Sequence, residues 1–224
     1  MTIEKALETV PHALLVVVVG RMNPAIHHPA WYRTIDAITK DEEAAAFKRP
    51  VMLTPLGASF QFGNYSIQCD QSRWQVSSSR IDAADRIIDL TCKVFEALMH
   101  TPMDAFGFNF LAHMPTNKPQ VIEALRTGLG LDRLSEPELK MVGQSLTMKV
   151  KVEQGTLATT IEPSLQSEGS VYISINREYV VGQILQSPNF KLFDLTPLIR
   201  DNFPKAKELA FNQISKIVSA VDGW

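Results

Sequence analysis

Only two of the 224 residues are cysteine, Cys69 and Cys92. No disulfide framework can staple the chain, and a reducing compartment suits it. Cys69 alternates with Tyr65 and Ile67, and Cys92 lies in a helical stripe, so both read as small core residues. Histidine is nearly as scarce: His12, His27, His28, His100 and His113. A zinc site needs three or four converging ligands, and there is no HExxH or CxxC. The nearest approach is one of His27 and His28 with His113 and Asp104, and neither a metal nor a cofactor is expected. No Walker-type loop and no G-x-S-x-G elbow occurs. The glycines of Thr127-Gly128-Leu129-Gly130 lack a following Lys-Ser/Thr and read as a helix end. Long apolar runs are missing too. Ala13 to Val19 is seven residues, against about 20 for a bilayer span. Glu4 and Glu8 precede it and no small-residue cleavage site follows, so it is not a signal sequence. A cytoplasmic protein that does not enter a membrane is expected. The net charge of −2 leaves no strong global attraction to nucleic acid.

What the chain has is alternation. In Leu146-Thr-Met-Lys-Val-Lys-Val-Glu153, apolar and polar residues take strict turns, the period of a strand with one buried and one wet face. Further strands are expected over about 156–162 and 170–181, the last with a bulge near Asn176-Arg177-Glu178. Earlier, Phe60 and Phe62 precede the turn signal Gly63-Asn64, and Tyr65, Ile67 and Cys69 return. Trp74 and Val76 alternate after a second turn. Ala13 to Val19 reads as a strand buried on both faces. Phe106, Phe108 and Phe110 share one face of a strand over 105–114.

Helical spacing marks Pro29 to about Lys40, then Asp82 to about His100 with Asp82 as cap, then Pro119 to Leu129. The last helix is expected from Pro204 to Val221, with Leu209, Ile214, Ile217 and Val218 on its apolar stripe. The fold class is α+β, with antiparallel meander sheets packed against amphipathic helices. The order β-α-βββ-α-β then α-βββ-α suggests two similar halves, 1–115 and 116–224, tightly packed together. Within about 51–115, the run F-Q-F-G-N-Y-S-I-Q-C-D-Q-S-R-W-Q-V, a helix, then F-G-F-N-F-L-A-H-M resembles the layout of a sporadically distributed bacterial protein family of unknown function. That resemblance implies a bacterial or phage source and no particular activity.

Two regions hold candidate functional residues. The loop N-P-A-I-H-H-P-A-W-Y follows a buried strand and offers Asn23, His27, His28, Trp31 and Tyr32 as ligand-binding groups, joined by His113 in a small-ligand or enzymatic reading. A proline-braced corner that plugs Trp31 into the core is the plainer expectation. The apolar stretch 183–204, with Leu185, Phe190, Leu192, Phe193 and Leu198, and the terminal Trp224 suit a protein interface. A binding or assembly protein without catalytic residues is therefore expected, as a homo-oligomer or a subunit of a larger complex. The wet face of 146–181, with Lys149, Lys151 and Arg177, offers a weaker nucleic-acid alternative, diluted by Glu153 and Glu162.

Overall fold

The structure is a computed structural model that describes residues 13–116, 118–127, 143–184 and 196–223. Strand β1 (Ala13–Gly20) leads through a 3-10 turn at Pro24–Ile26 into helices α1 (Pro29–Thr34) and α2 (Lys40–Ala46). Strands β2 (Met52–Leu53), β3 (Gly57–Phe62), β4 (Tyr65–Asp70) and β5 (Arg73–Ser78) follow, then helix α3 (Ala84–Ala97) and strand β6 (Met103–Pro115). Helix α4 (Pro119–Thr127) precedes β7 (Leu146–Val152), β8 (Gly155–Pro163) and β9 (Ser170–Val180). A short helix α5 (Val181–Ile184) and the long α6 (Thr196–Gly223) complete the described chain.

The nine strands of the described residues form one antiparallel sheet in the order β2-β3-β4-β5-β1-β6-β9-β8-β7. The two meanders fold outward from a central antiparallel pair, β1 and β6, and each innermost meander strand, β5 or β9, sits beside one of them. Strand β6 pairs with β1 on one side and with β9 on the other, and so joins the two meanders.

Register explains which residues are core. Leu14, Val16 and Val18 lie opposite Phe110, Phe108 and Phe106 on β6, and opposite Ser78, Val76 and Trp74 on β5. All of these apolar side chains are buried. The helices whose ring contacts fix their side cover this face. Tyr32 of α1 meets Phe60, Phe95 of α3 meets Trp74, and Phe203 of α6 meets Phe108 and Phe110. The opposite face reads Leu15, Val17 and Val19 at the centre and Ser66, Gln68, Gln75, Asn109, Ser174 and Asn176 on either side. The central strand is buried on its helix-facing side and, at Val17, on the other side too; Leu15 is half-buried there, and Val19, beside Arg73 at the strand's end, is exposed.

Local chemistry moved several boundaries. The helix from Pro29 stops at Thr34, where Asp36 turns the chain with φ 55°. A capping box between Thr39 and Glu42 starts α2 instead. Asp82 does not cap α3: its carboxylate pairs with Arg80, and Ala83 occupies the cap position without a side-chain bond. Strand β9 shows no bulge at 176–178 and pairs continuously with β6 and β8. Helix α6 begins at Thr196, so Pro204 lies inside it and not at its start. Ile199, Phe203, Ala206, Ala210 and Ile214 are all buried, a helical spacing that runs straight through the proline. That continuous apolar stripe offsets the hydrogen bond that Pro204 cannot donate.

Candidate functional site

The 20–32 corner is a cluster of local braces. The Asn23 side chain accepts from the Ala25 amide and caps the 3-10 turn. His28 accepts from the Ala30 amide through Nδ1 and caps α1. Trp31 is half-buried against the core, edge-on to both His27 and Tyr32. Tyr32 is wholly buried, and its hydroxyl joins two partners: Trp74 Nε1 at 2.8 Å and His27 Nδ1 at 2.8 Å.

The indole N–H can only donate, so the Tyr32 oxygen accepts it. The second hydrogen bond of the Tyr32 hydroxyl joins His27 Nδ1, and the tautomer of the neutral imidazole decides which of the two donates. Burial holds His27 neutral by lowering its pKa to about 4. Its Nε2 is sealed and has no partner. Tyr32 is pushed well above its ordinary pKa by burial and stays protonated.

His113 does not join this corner. It lies on β6 ten residues beyond Met103, the β6 partner of Gly20, which is about 33 Å at strand rise. Its Nδ1 instead meets Ser164 Oγ at 2.8 Å, beside the ring of Tyr172. Asp104 sits at the near end of β6, so the grouping of His27 or His28 with His113 and Asp104 is not formed. Among the described residues no three His, Cys, Asp or Glu side chains gather at metal-ligand spacing.

Of the expected interface residues, Leu185, Phe190, Leu192, Phe193 and Trp224 lie outside the described residues. Leu198 is half-buried on the first turn of α6 and packs against the core. Among the described residues, exposed apolar surface lies elsewhere. Strand β7 is the outermost strand of its half, and its inward-alternating residues Leu146, Met148 and Val150 are 46%, 49% and 55% exposed. The alternation of 146–153 thus marks a strand correctly, but the buried face it implies is open. Phe47, Met52, Leu53 and Leu56 form a second exposed apolar group around the opposite edge, where β2 is only two residues long.

The wet face of β7 to β9 also differs from expectation. Lys149 lies opposite Ala158 and Lys151 opposite Thr156, whose own neighbour on β9 is Glu178. Arg177 has the other parity, faces the helices, and is 7% exposed. The cations expected to make one basic stripe are thus split between the two faces, and Glu162 and Glu178 share the face with the lysines. Among the described residues no helix is long and apolar enough to cross a membrane. No protein-family model matches the chain, and no curated protein matches it.

Proposed function

We propose that this chain is an assembly protein that associates with a second copy of itself through β7, as a subunit of a larger bacterial or phage complex. The observation that carries the reading is the open apolar face of that edge strand. Leu146, Met148 and Val150 have the alternation of a buried strand and the exposure of a surface one. An edge strand also presents a row of unpaired amides and carbonyls that invites a further strand.

Charge selects the pairing. Two β7 strands related by a two-fold axis meet antiparallel, with matching faces on the same side. Centred on Lys149, the pair would set like charges directly opposite each other, which is destabilising. Centred on Met148, it sets Met148 against Met148 of the second copy, Val150 against Leu146, and Lys149 against Thr147. Leu146, Met148 and Val150 then each find an apolar partner and Lys149 a neutral one. The far edge suits this less, because a two-residue β2 offers little ladder to extend. The bacterial or phage setting rests on the resemblance of residues 51–115. Nucleic acid is disfavoured by the mixed charge of the 146–181 face.

Light scattering on the eluting protein tests the reading. The expected mass is twice the 25.0 kDa of the chain at micromolar concentration. Met148→Lys, which sets two cations against each other at the axis, is expected to yield the single-chain mass. A wild-type monomer, or a dimer indifferent to Met148→Lys, contradicts it.

A further inference from the structure

A buried arginine with no counter-ion among the described residues marks a second feature, independent of the edge strand. Arg177 sits on the helix-facing side of β9 between Phe108 of β6 and Leu157 of β8. Its guanidinium carbon stacks 3.9 Å from the centre of the Tyr179 ring. Nη2 donates to the Glu153 carbonyl at 2.6 Å, and Nη1 donates to the carbonyls of Thr156, at 3.4 Å, and Glu178. These contacts bind the arginine to the β7–β8 turn. They are dipoles, however, and no carboxylate of the described residues comes within ion-pair distance of it.

A guanidinium has five N–H donors, and three are accounted for. Nε donates to none of these carbonyls, and it is not sealed: the one sealed, unpartnered side-chain atom among the described residues is His27 Nε2. Arg177 lines a cavity of about 470 Å³ between the β7–β8 turn and α6, with Tyr179 on the same wall and Leu198, Asn202 and Leu209 on the other. Its size is in the range that holds a small organic molecule.

We propose that this cavity binds a small monocarboxylate with an apolar body, its carboxylate on the free edge of the Arg177 guanidinium. Arginine's fork matches a carboxylate with two parallel bonds, and a desolvated cation favours an anionic partner. The ring of Tyr179 and the side chains of Leu198, Ala206 and Leu209 supply the apolar wall. The other charges lining the cavity select against a multiply charged anion. Glu153 and Asp201 together outweigh Lys205, so a phosphate-rich ligand would meet repulsion that a single carboxylate largely avoids.

Sodium octanoate is the probe, titrated into the full chain and followed by ligand-observed saturation-transfer NMR. Saturable binding is expected for octanoate, and none for octanol or inorganic phosphate. Arg177→Lys keeps the charge and loses the fork, and is expected to weaken octanoate binding by about tenfold or more. Leu209→Trp fills the cavity from the half-buried wall of α6 with Arg177 untouched, and is expected to abolish binding; it decides the matter if Arg177→Lys does not fold. Failure of octanoate to bind the wild type overturns the proposal. So does equal binding of octanol, which would mean an apolar hole only. Binding of phosphate in place of octanoate, or octanoate binding unchanged in either variant, overturns it too.

Discussion

Tyr32→Phe removes one oxygen from the centre of the molecule and leaves the ring. The oxygen accepts from Trp74 Nε1 and shares a hydrogen bond with His27 Nδ1, each at 2.8 Å. Tyr32 and Trp74 are wholly buried and His27 is 1% exposed, so neither stranded partner can turn to solvent. An unpartnered buried donor or acceptor costs about 1–3 kcal/mol. Two of them cost about 2–6 kcal/mol, a large share of the ~5–15 kcal/mol that holds a typical domain folded. No cavity penalty adds to this, because the ring still packs against Phe60 and Trp31. Urea unfolding followed by tryptophan fluorescence measures the change, with the slope expected to stay constant and the midpoint to fall. Tyr65→Phe is the control, since Tyr65 is only half-buried and its loss is expected to cost less than about 0.5 kcal/mol. A Tyr32→Phe midpoint equal to wild type would refute the stabilisation assigned to the two buried hydrogen bonds of the Tyr32 hydroxyl.

The neutral state of His27 makes stability depend on pH. His27 has a pKa of about 4 when folded and an ordinary value of 6.5 when unfolded. Between these values the unfolded chain binds the proton and the folded one does not, so stability falls as pH drops from 6.5 to about 4, by about 3 kcal/mol in total. Melting curves across that range should show this slope in wild type and a shallower one in His27→Gln; parallel slopes would contradict it. Phe203→Ala removes a ring 5% exposed that packs on Phe108 and Phe110. It should cost about 3–5 kcal/mol, read from the urea midpoint, and a loss under about 1 kcal/mol would mean that α6 is not docked on the sheet. Burial raises Cys69 to about 12 and Cys92 to about 11. Both thiols should label slowly with a disulfide reagent at pH 8 and quickly in urea, and fast labelling of the native protein would contradict that burial.

Much of the fold is written in short-range pattern. Alternation in 58–76 and 105–114 set both the strands and their core faces, since a strand's side chains obey a period of two whatever surrounds them. Helical stripes were equally legible where they ran unbroken. Pro204 misled because its local preference for a first turn competes with a stripe extending on both sides of it, and burial of that stripe won. Arg177 misled because its face depends on counting parity through a strand expected to bulge. A buried arginine amid Val171, Ile173 and Ile175 at the same parity was the available signal. The exposure of β7 could not be read locally at all. Alternation reports that one face is apolar, and only the strand order reveals that β7 lies at the edge. The distance from His27 to His113 likewise follows from the antiparallel pairing of β1 with β6, which places them near opposite ends of that pair.

The pairing of β7 with a second β7 is tested most directly by a single cysteine at its axis. With Met148 opposite Met148 of the other copy, the two α-carbons stand about 4.5–5.5 Å apart, within disulfide reach. Residue 150 of one copy lies opposite residue 146 of the other, so two copies of residue 150 sit about 13 Å apart along the strands. Mild oxidation of Met148→Cys should give a covalent species at twice the 25.0 kDa chain mass on non-reducing gels, and Val150→Cys should remain at the single-chain mass. Equal cross-linking of both variants, or of neither, would contradict the edge-to-edge assembly.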